Sequence, residues 1–304
     1  MKAKLTFLGT GTSQGVPIIG CGCPVCRSNE QRDKRLRSSA LVEYGGLKIL
    51  IDAGPDFRSQ MLGQNVSHLD AILLTHDHRD HTGGLDDVRS LNYIDQRAAE
   101  IYCEPRVLES LKESYSYVFA ENKYPGAPEW QIHLISEEPF IVEPADVDRK
   151  LVWVHDKGYC YMNPDGSLST TNNRECTYAD RVSPSGRGVE VIPIRGMHDT
   201  MPVLGFRFGN IAYLTDMSRI PETEFAKLKG LEHVTLNTVG YKPHHSHFSL
   251  YQAIEIARKI GAKHTWLTHL SHTFPSFPEF EAQLAGIAPD LSIRPAWDGL
   301  TVSD

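Results

Sequence analysis

The stretch LLTHDHRDHTGG, Leu73 to Gly84, sets His76, His78, Asp80 and His81 within six residues, straight after an apolar run. Neutral imidazole and carboxylate are standard zinc ligands, at about 2.0–2.2 Å. In a loop, His76 and His78 can point to one side while Asp80 and His81 serve a neighbouring point. Three further donors follow singly downstream, His198, Asp216 and His269. Together they are too many for one closed tetrahedral site. They suit two metals about 3.5–4 Å apart. The plainer alternative, a solvated polar loop around one structural ion, leaves the later donors without a role.

Two other groups carry chemistry. CGCPVC supplies Cys21, Cys23 and Cys26. Three thiolates need a fourth ligand to close a tetrahedral zinc site, and His272, three residues beyond His269, is the best candidate. Such a closed site has no open position, so its expected role is structural: it staples the early loop to the loop carrying His269. The alternatives are free thiols in a surface loop or a redox pair, though no thioredoxin-like context surrounds them. Cys103, Cys160 and Cys176 are scattered and read as ordinary residues. The segment YKPHHSHFSL offers His244, His245 and His247. His247 lies two residues before Ser249, near a helix start whose positive end favours an anion. Imidazole suits proton transfer near neutrality. Lys242 and Arg195 could add phosphate contacts, but no spacing demands it.

The elements that must position these residues follow a rhythm. Apolar runs at 71–74, 188–194, 211–214 and 264–267 each lead to donor residues at their C-terminal side. Lys4–Leu8 reads as a strand ended by Gly9-Thr-Gly11. Gly9, Gly11 and Gly15 have the wrong spacing for a dinucleotide fingerprint, and Val16-Pro17 follows where a helix should open. Residues 40–44 and 47–52 read as a hairpin through Gly45-Gly46. Gly83-Gly84 lets the chain turn closely around a bound ion. The clearest helix is 250–260, with a Ser249/Gln252 capping box and Gly261 as its stop. A helix over 107–117 has apolar spacing but no cap. Asp298-Gly299 reads as a hairpin turn. Glu143 to Arg187 is polar and turn-rich, an insertion on one rim of a single 1–304 domain. Its Trp153, Tyr159 and Tyr161 either stack a base or pack a small core of their own.

The sequence His76-Asp-His78-Arg-Asp80-His81 resembles the H-x-H-x-D-H signature of the metallo-β-lactamase superfamily. The resemblance covers nearly the whole chain, through the Gly9-Thr-Gly11 turn, Asp52 in IDAG, His198 in RGMH, Asp216 in YLTD and His269 in LTH. It implies an α/β (α+β) chain folded as an αββα four-layer sandwich, with the site at strand ends. It implies that one metal takes His76, His78 and His198, the other Asp80, His81 and His269, with Asp216 bridging. Asp52 is then the carboxylate that orients the loop, unless it only caps a turn. The H-x-H form argues against the oxygen-reducing di-iron branch, so zinc is preferred, with manganese or nickel as options. The cysteines paired with the second histidine of T-H-x-S-H resemble the PhnP-like cyclic phosphodiesterases, where they hold a structural zinc. That resemblance also gives His247 a general-acid role, and suggests a homodimer.

Two divalent cations against Asp80, Asp216 and a hydroxide leave positive charge, which favours an anionic substrate such as a small phosphodiester. Bound water would reach a pKa of about 7 and attack phosphorus in line. The 143–187 insertion departs from the PhnP-like pattern and leaves cyclic ribosyl or nucleotide specificity open. A PqqB-like cofactor-biosynthesis protein, a tRNA 3′-processing nuclease, a lactone or thioester hydrolase, and a non-catalytic metal-binding or ligand-sensing protein share the scaffold.

Composition sets the outer limits. Of 304 residues, 40% are hydrophobic and 23% charged, enough for a large core. The net charge of −7 gives no electrostatic footprint for nucleic acid or an anionic membrane. No apolar stretch reaches the length of a membrane span. MKAKLTFLGTGTSQG reads as a first strand and turn, not a signal peptide, and with the clustered thiols this points to a cytoplasmic setting.

Overall fold

A computed structural model describes residues 1–124, 126–144, 150–155, 158–163, 165–170 and 176–304. It divides into two compact units, Met1–Tyr44 with Val191–Asp304, and Gly45–Glu190.

In the first unit, Ala3–Gly9 pairs antiparallel with both Thr301–Ser303 and Ser39–Tyr44. A second sheet runs from Val189–His198 through Met201–Phe208 and Ile211–Tyr213, all antiparallel, to His233–Asn237, His264–Thr268 and Ile293–Pro295, all parallel. Aromatic rings join the two sheets: Phe7 meets Tyr213 at 6.4 Å between centroids, and Tyr44 meets Phe208 edge-on at 6.3 Å. The parallel strands are covered on both faces, which is why His233–Asn237 is buried throughout. Helices Leu250–Ile260 and Phe277–Ile287 close the other face, packing Ile254, Ala257, Phe280 and Leu284 onto Val234, Leu236 and Leu267.

The 250–260 helix forms where its signals place it. The Ser249 hydroxyl accepts from the Gln252 amide, the Gln252 side chain accepts from the Ser249 amide at 2.9 Å, and Gly261 ends the helix at φ 69°. Its buried stripe is Leu250, Ala253, Ile254, Ala257 and Ile260. Truncating Ile254 to alanine there costs roughly 2–5 kcal/mol. Phe277–Ile287 carries the same device, with Ser276 and Glu279 as its box.

The second unit is a parallel sheet of Leu47–Ile51, Ala71–Leu73, Ala99–Cys103, Trp130–Leu134 and Cys176–Tyr178. Helices Phe57–Gly63, Arg89–Asp95 and Pro105–Ser114 accompany it. The last of these starts two residues before the expected 107, because Pro105 occupies a first-turn position where its missing N–H costs nothing. Ala71–Leu73 is wholly buried, as its unbroken apolar run requires.

The 143–187 segment has two parts. Lys150–Val154, Gly158–Met162 and Leu168–Thr170 form a small antiparallel sheet. Cys176–Tyr178 instead joins the main sheet beside Trp130–Leu134. The Trp153 and Tyr159 side chains lie outside the described residues.

One turn is corrected. Asp298-Gly299 does not close a hairpin: Ile293–Pro295 pairs with His264–Thr268, whereas Thr301–Ser303 pairs with Ala3–Gly9. The segment crosses from one sheet to the other, and Gly299 donates to the Phe7 carbonyl at 2.7 Å. Among the described residues, no helix is long and apolar enough to cross a membrane.

Candidate metal sites

The second unit holds the H-x-H-x-D-H loop. Asp52 follows the Leu47–Ile51 strand in the left-handed region, φ 62°, and is fully buried. Its Oδ1 accepts from the Thr75 amide at 2.8 Å; its Oδ2 accepts from the Thr75 hydroxyl at 2.8 Å and faces His81 Nδ1 at 2.7 Å. Burial pushes the Asp52 carboxyl up, against the pull of His81 and Thr75. The Thr75 hydroxyl also lies 2.9 Å from His76 Nδ1. Its one proton goes to Asp52, so it accepts from His76 Nδ1–H. Asp52 Oδ2 likewise accepts a hydrogen bond from the Nδ1–H of His81. Both rings are thereby held with Nε2 as the lone-pair nitrogen, the arrangement that a carboxylate behind a ligating histidine imposes.

The rings converge. His76 lies 4.7 Å from His78 and 4.3 Å from His81 between centroids, and Asp80 Oδ2 is 3.5 Å from His81 Nε2. Two glycines allow this closeness. A Cβ on Gly54 would stand 2.0 Å from the Asp80 carbonyl oxygen, and one on Gly84 would stand 2.1 Å from the Gly54 carbonyl oxygen. Tyr115 ties the loop from outside, donating to the Thr82 carbonyl at 2.7 Å.

The first unit gathers His198, Asp216, His247 and His269. His198 ends its strand and donates from Nδ1 to the Asp216 carbonyl at 3.0 Å, which again leaves Nε2 as the lone-pair nitrogen. Asp216 sits at φ 58° and His269 at φ 57°. Left-handed conformations of non-glycine residues cost on the order of 1–3 kcal/mol each and persist only where the surroundings enforce them. Around Asp216 the enforcement is visible. Met217 donates its amide to Asn237 Oδ1 at 2.8 Å, Asn237 donates back to the Met217 carbonyl at 3.0 Å, and the Thr215 hydroxyl donates to Asp216 Oδ2 at 2.6 Å. Asp216 Oδ1 then faces His269 Nε2 at 3.0 Å and His247 Nδ1 at 3.8 Å.

His198, Asp216 and His247 each bring a donor atom within 4.8 Å of the other two. The His247 ring lies 4.6 Å from both His198 and His269. Burial, reinforced by His269, lowers the His247 pKa to about 2. The His244 ring lies tilted beside it, 5.2 Å between centroids.

The cysteine cluster also closes within the first unit. His272 Nδ1 is 3.3, 3.5 and 3.6 Å from the sulfurs of Cys21, Cys23 and Cys26. Bonds of about 2.0–2.3 Å from a tetrahedral centre put ligand atoms roughly 3.3–3.8 Å apart, so the donor set fits zinc. The Cys26 amide, with further hydrogen bonds, lowers the Cys23 thiol to about 6, whereas burial raises Cys26 to about 11. None of the six cysteines is joined in a disulfide.

Thr75, Thr215 and Asn237 were not singled out in the sequence. The first two had a signal: Leu-Thr precedes the donor in Leu74-Thr75-His76, Leu214-Thr215-Asp216 and Leu267-Thr268-His269. A threonine at a strand end can turn its hydroxyl onto the residue that follows.

The Beta-lactamase superfamily domain matches residues 48–159 and 148–270. A solved diphosphatase from the PhnP family is 34% identical, with a TM-score of 0.76 over 100% of this chain and 98% of its own. The octanoyltransferase of Porphyromonas gingivalis is 37% identical over 91% of this chain, which spans only 47% of that longer protein. The ribonuclease Z of Streptomyces coelicolor is 29% identical, covering 85% of this chain and 89% of its own. The family match and the PhnP-family diphosphatase structure bear out the α+β class and the metallo-β-lactamase fold expected from the sequence.

Proposed function

The chain belongs to the β-lactamase superfamily, close to its PhnP-family members, and from this we propose that it is a metal-dependent hydrolase of small phosphodiesters. The observation that carries the proposal is the fixing of three imidazoles by partners behind them: Thr75 behind His76, Asp52 behind His81, and the Asp216 carbonyl behind His198. A protein that used these histidines only for packing has no need to present three Nε2 lone pairs. With His78, Asp80, Asp216 and His269 they form the proposed donor set for two divalent cations, zinc by preference and manganese or nickel as options. Bound cations would supply an activated water and offset charge on the phosphoryl oxygens.

The chain's own residues do the rest. Asp52 and Thr75 hold the donor rings in one tautomer. Asp216, its backbone set by Asn237, keeps one carboxylate among three imidazoles. His247 is the proposed proton donor to the leaving oxygen. Burial keeps its ring neutral in the protein alone, and an anionic phosphoryl group beside it favours the charged form. The Cys21, Cys23, Cys26 and His272 set is the proposed holder of a structural zinc.

The test is metal content alongside turnover of bis(p-nitrophenyl) phosphate and 2′,3′-cyclic AMP by the full chain loaded with zinc, manganese or nickel. Turnover that depends on the metal supports the proposal; a fully loaded protein that turns over neither supports a metal-binding or sensing role. The ribonuclease Z relative suggests a nucleic-acid substrate, which the net charge of −7 disfavours. A second function is favoured by one observation, the relative named for octanoyl transfer. A thioester or other acyl hydrolase would use the same donors, and hydrolysis of an octanoyl thioester by the same preparation decides it. We assign the protein to the cytoplasm on the strength of its clustered free thiols.

A further inference from the structure

We infer that Arg35, Thr10 and Asp298 form an inner brace that positions the His269–His272 segment through the Thr10 carbonyl. The inference rests on the donor roles proposed above for His269 and His272.

Arg35 is buried, an uncommon place for a guanidinium. Its Nη1 donates to the Thr10 hydroxyl at 2.7 Å and to the Ala296 carbonyl at 2.6 Å. The Thr10 hydroxyl accepts that bond and passes its own proton to Asp298 Oδ1 at 2.7 Å. Asp298 Oδ2 accepts from the Leu36 amide at 2.6 Å. The Thr10 hydroxyl and the Asp298 carboxylate therefore each have one fixed orientation.

The relay grips the donor segment from both ends. The Thr10 carbonyl accepts from the Leu270 amide at 2.8 Å, one residue after His269. Ala296, whose carbonyl Arg35 holds, donates its amide to the Leu267 carbonyl at 2.9 Å. His269 stands between these two anchor points, in its left-handed conformation. Arg35 also exchanges backbone hydrogen bonds with Val16 at 2.7 and 2.8 Å, so the same residue anchors the loop leading to Cys21. The two parts of the Cys₃His set, the cysteine loop and the histidine loop, are both tied to it.

Stability alone does not account for a charged brace. Apolar residues of similar volume commonly stabilise a core as well as a buried charge pair does, or better. A satisfied buried hydrogen-bond relay fixes one local geometry, and that is what a strained donor residue needs.

The test uses the full chain with Thr10→Val, which removes the hydroxyl but keeps the carbonyl, and Asp298→Asn. Arg35→Met is a third variant, and the first two decide the matter if it fails to fold. In the metal-free protein, hydrogen exchange of the Leu270 amide is measured against amides of the Leu250–Ile260 helix. Cobalt affinity is followed through thiolate charge-transfer bands for the cysteine site and, in a Cys23→Ala background that removes that site, through ligand-field bands for the histidine and aspartate donors. The expected result is selectively faster Leu270 exchange and a loss of about tenfold or more in ligand-field cobalt affinity, the scale found for supports behind metal ligands. Unchanged Leu270 exchange and cobalt affinity in both variants would overturn the brace. If His269→Ala leaves cobalt uptake unaltered, the proposed function fails instead, and Leu270 exchange alone still decides on the brace.

Discussion

His81 Nδ1 lies 2.7 Å from Asp52 Oδ2, and both side chains are cut off from solvent. The carboxylate fixes which nitrogen of His81 carries the proton. Asp52→Asn keeps the shape but offers an amide where the ring needs an acceptor. Metal affinity at the histidine loop should fall about 10–100-fold. Competition with a chromophoric chelator measures it, and the melting temperature of the metal-free protein serves as the control for folding.

Thr75 and Thr268 occupy the same place in the repeated Leu-Thr-donor pattern, yet only Thr75 uses its hydroxyl. Thr268 Oγ1 is buried and has no hydrogen-bond partner among the described residues. Thr75→Val should therefore weaken metal binding, because it frees the His76 tautomer. Thr268→Val should leave metal binding intact and hold or raise stability, by up to about 1 kcal/mol, since it removes an unpaired buried polar group. Paired melts and metal titrations of the two variants check the contrast.

His247→Ala should leave bound metal in place and slow turnover by about 10²–10⁴ for substrates with poor leaving groups. Activated aryl diesters should be slowed far less. Equal slowing of both would remove its role as proton donor.

Asp298 gives a pH dependence with a definite sign. Burial outweighs the hydrogen bonds from Leu36 and Thr10 and the attraction of Arg35, and raises its pKa from 3.8 to about 6. The folded state then binds a proton where the unfolded chain does not. Its contribution to stability is complete below about 3.8 and is lost as pH rises through about 6, by no more than about 3 kcal/mol. The stability of the native protein relative to Asp298→Asn should fall between pH 4 and pH 7, measured by denaturant unfolding at each pH.

Cys23→Ala should release one zinc per chain and lower the melting temperature, while zinc bound by the histidines and aspartates stays largely in place. Metal analysis before and after the substitution reads this directly.

Where a short local pattern determined an element, it could be read in advance. The 250–260 helix begins and ends on its own cap residues; of the proposed donors, His269 directly follows the His264–Thr268 strand and His76 stands three residues beyond Ala71–Leu73. The C-x-C-x₂-C spacing needs only its own loop, and His272 needs only to follow His269. Illegible features were those made by distant partners. Asp298-Gly299 has a local turn signal, but Asp298 bonds Leu36 and Thr10 across 262 and 288 residues. Nothing near Arg35 in the chain announces that its guanidinium turns inward. Cys176–Tyr178 is three residues long, too short for a periodic pattern, and becomes a strand only because Trp130–Leu134 offers it an edge. The Ser276/Glu279 box was present in the sequence, and its helix could have been read as the first one was.

The most direct measurement is anomalous scattering at the zinc edge from crystals of the zinc-loaded protein. Three peaks per chain are expected: two among His76, His78, Asp80, His81, His198, Asp216 and His269, and one among Cys21, Cys23, Cys26 and His272. A zinc-replete crystal with no peak at the histidine and aspartate donors would contradict the account at its centre.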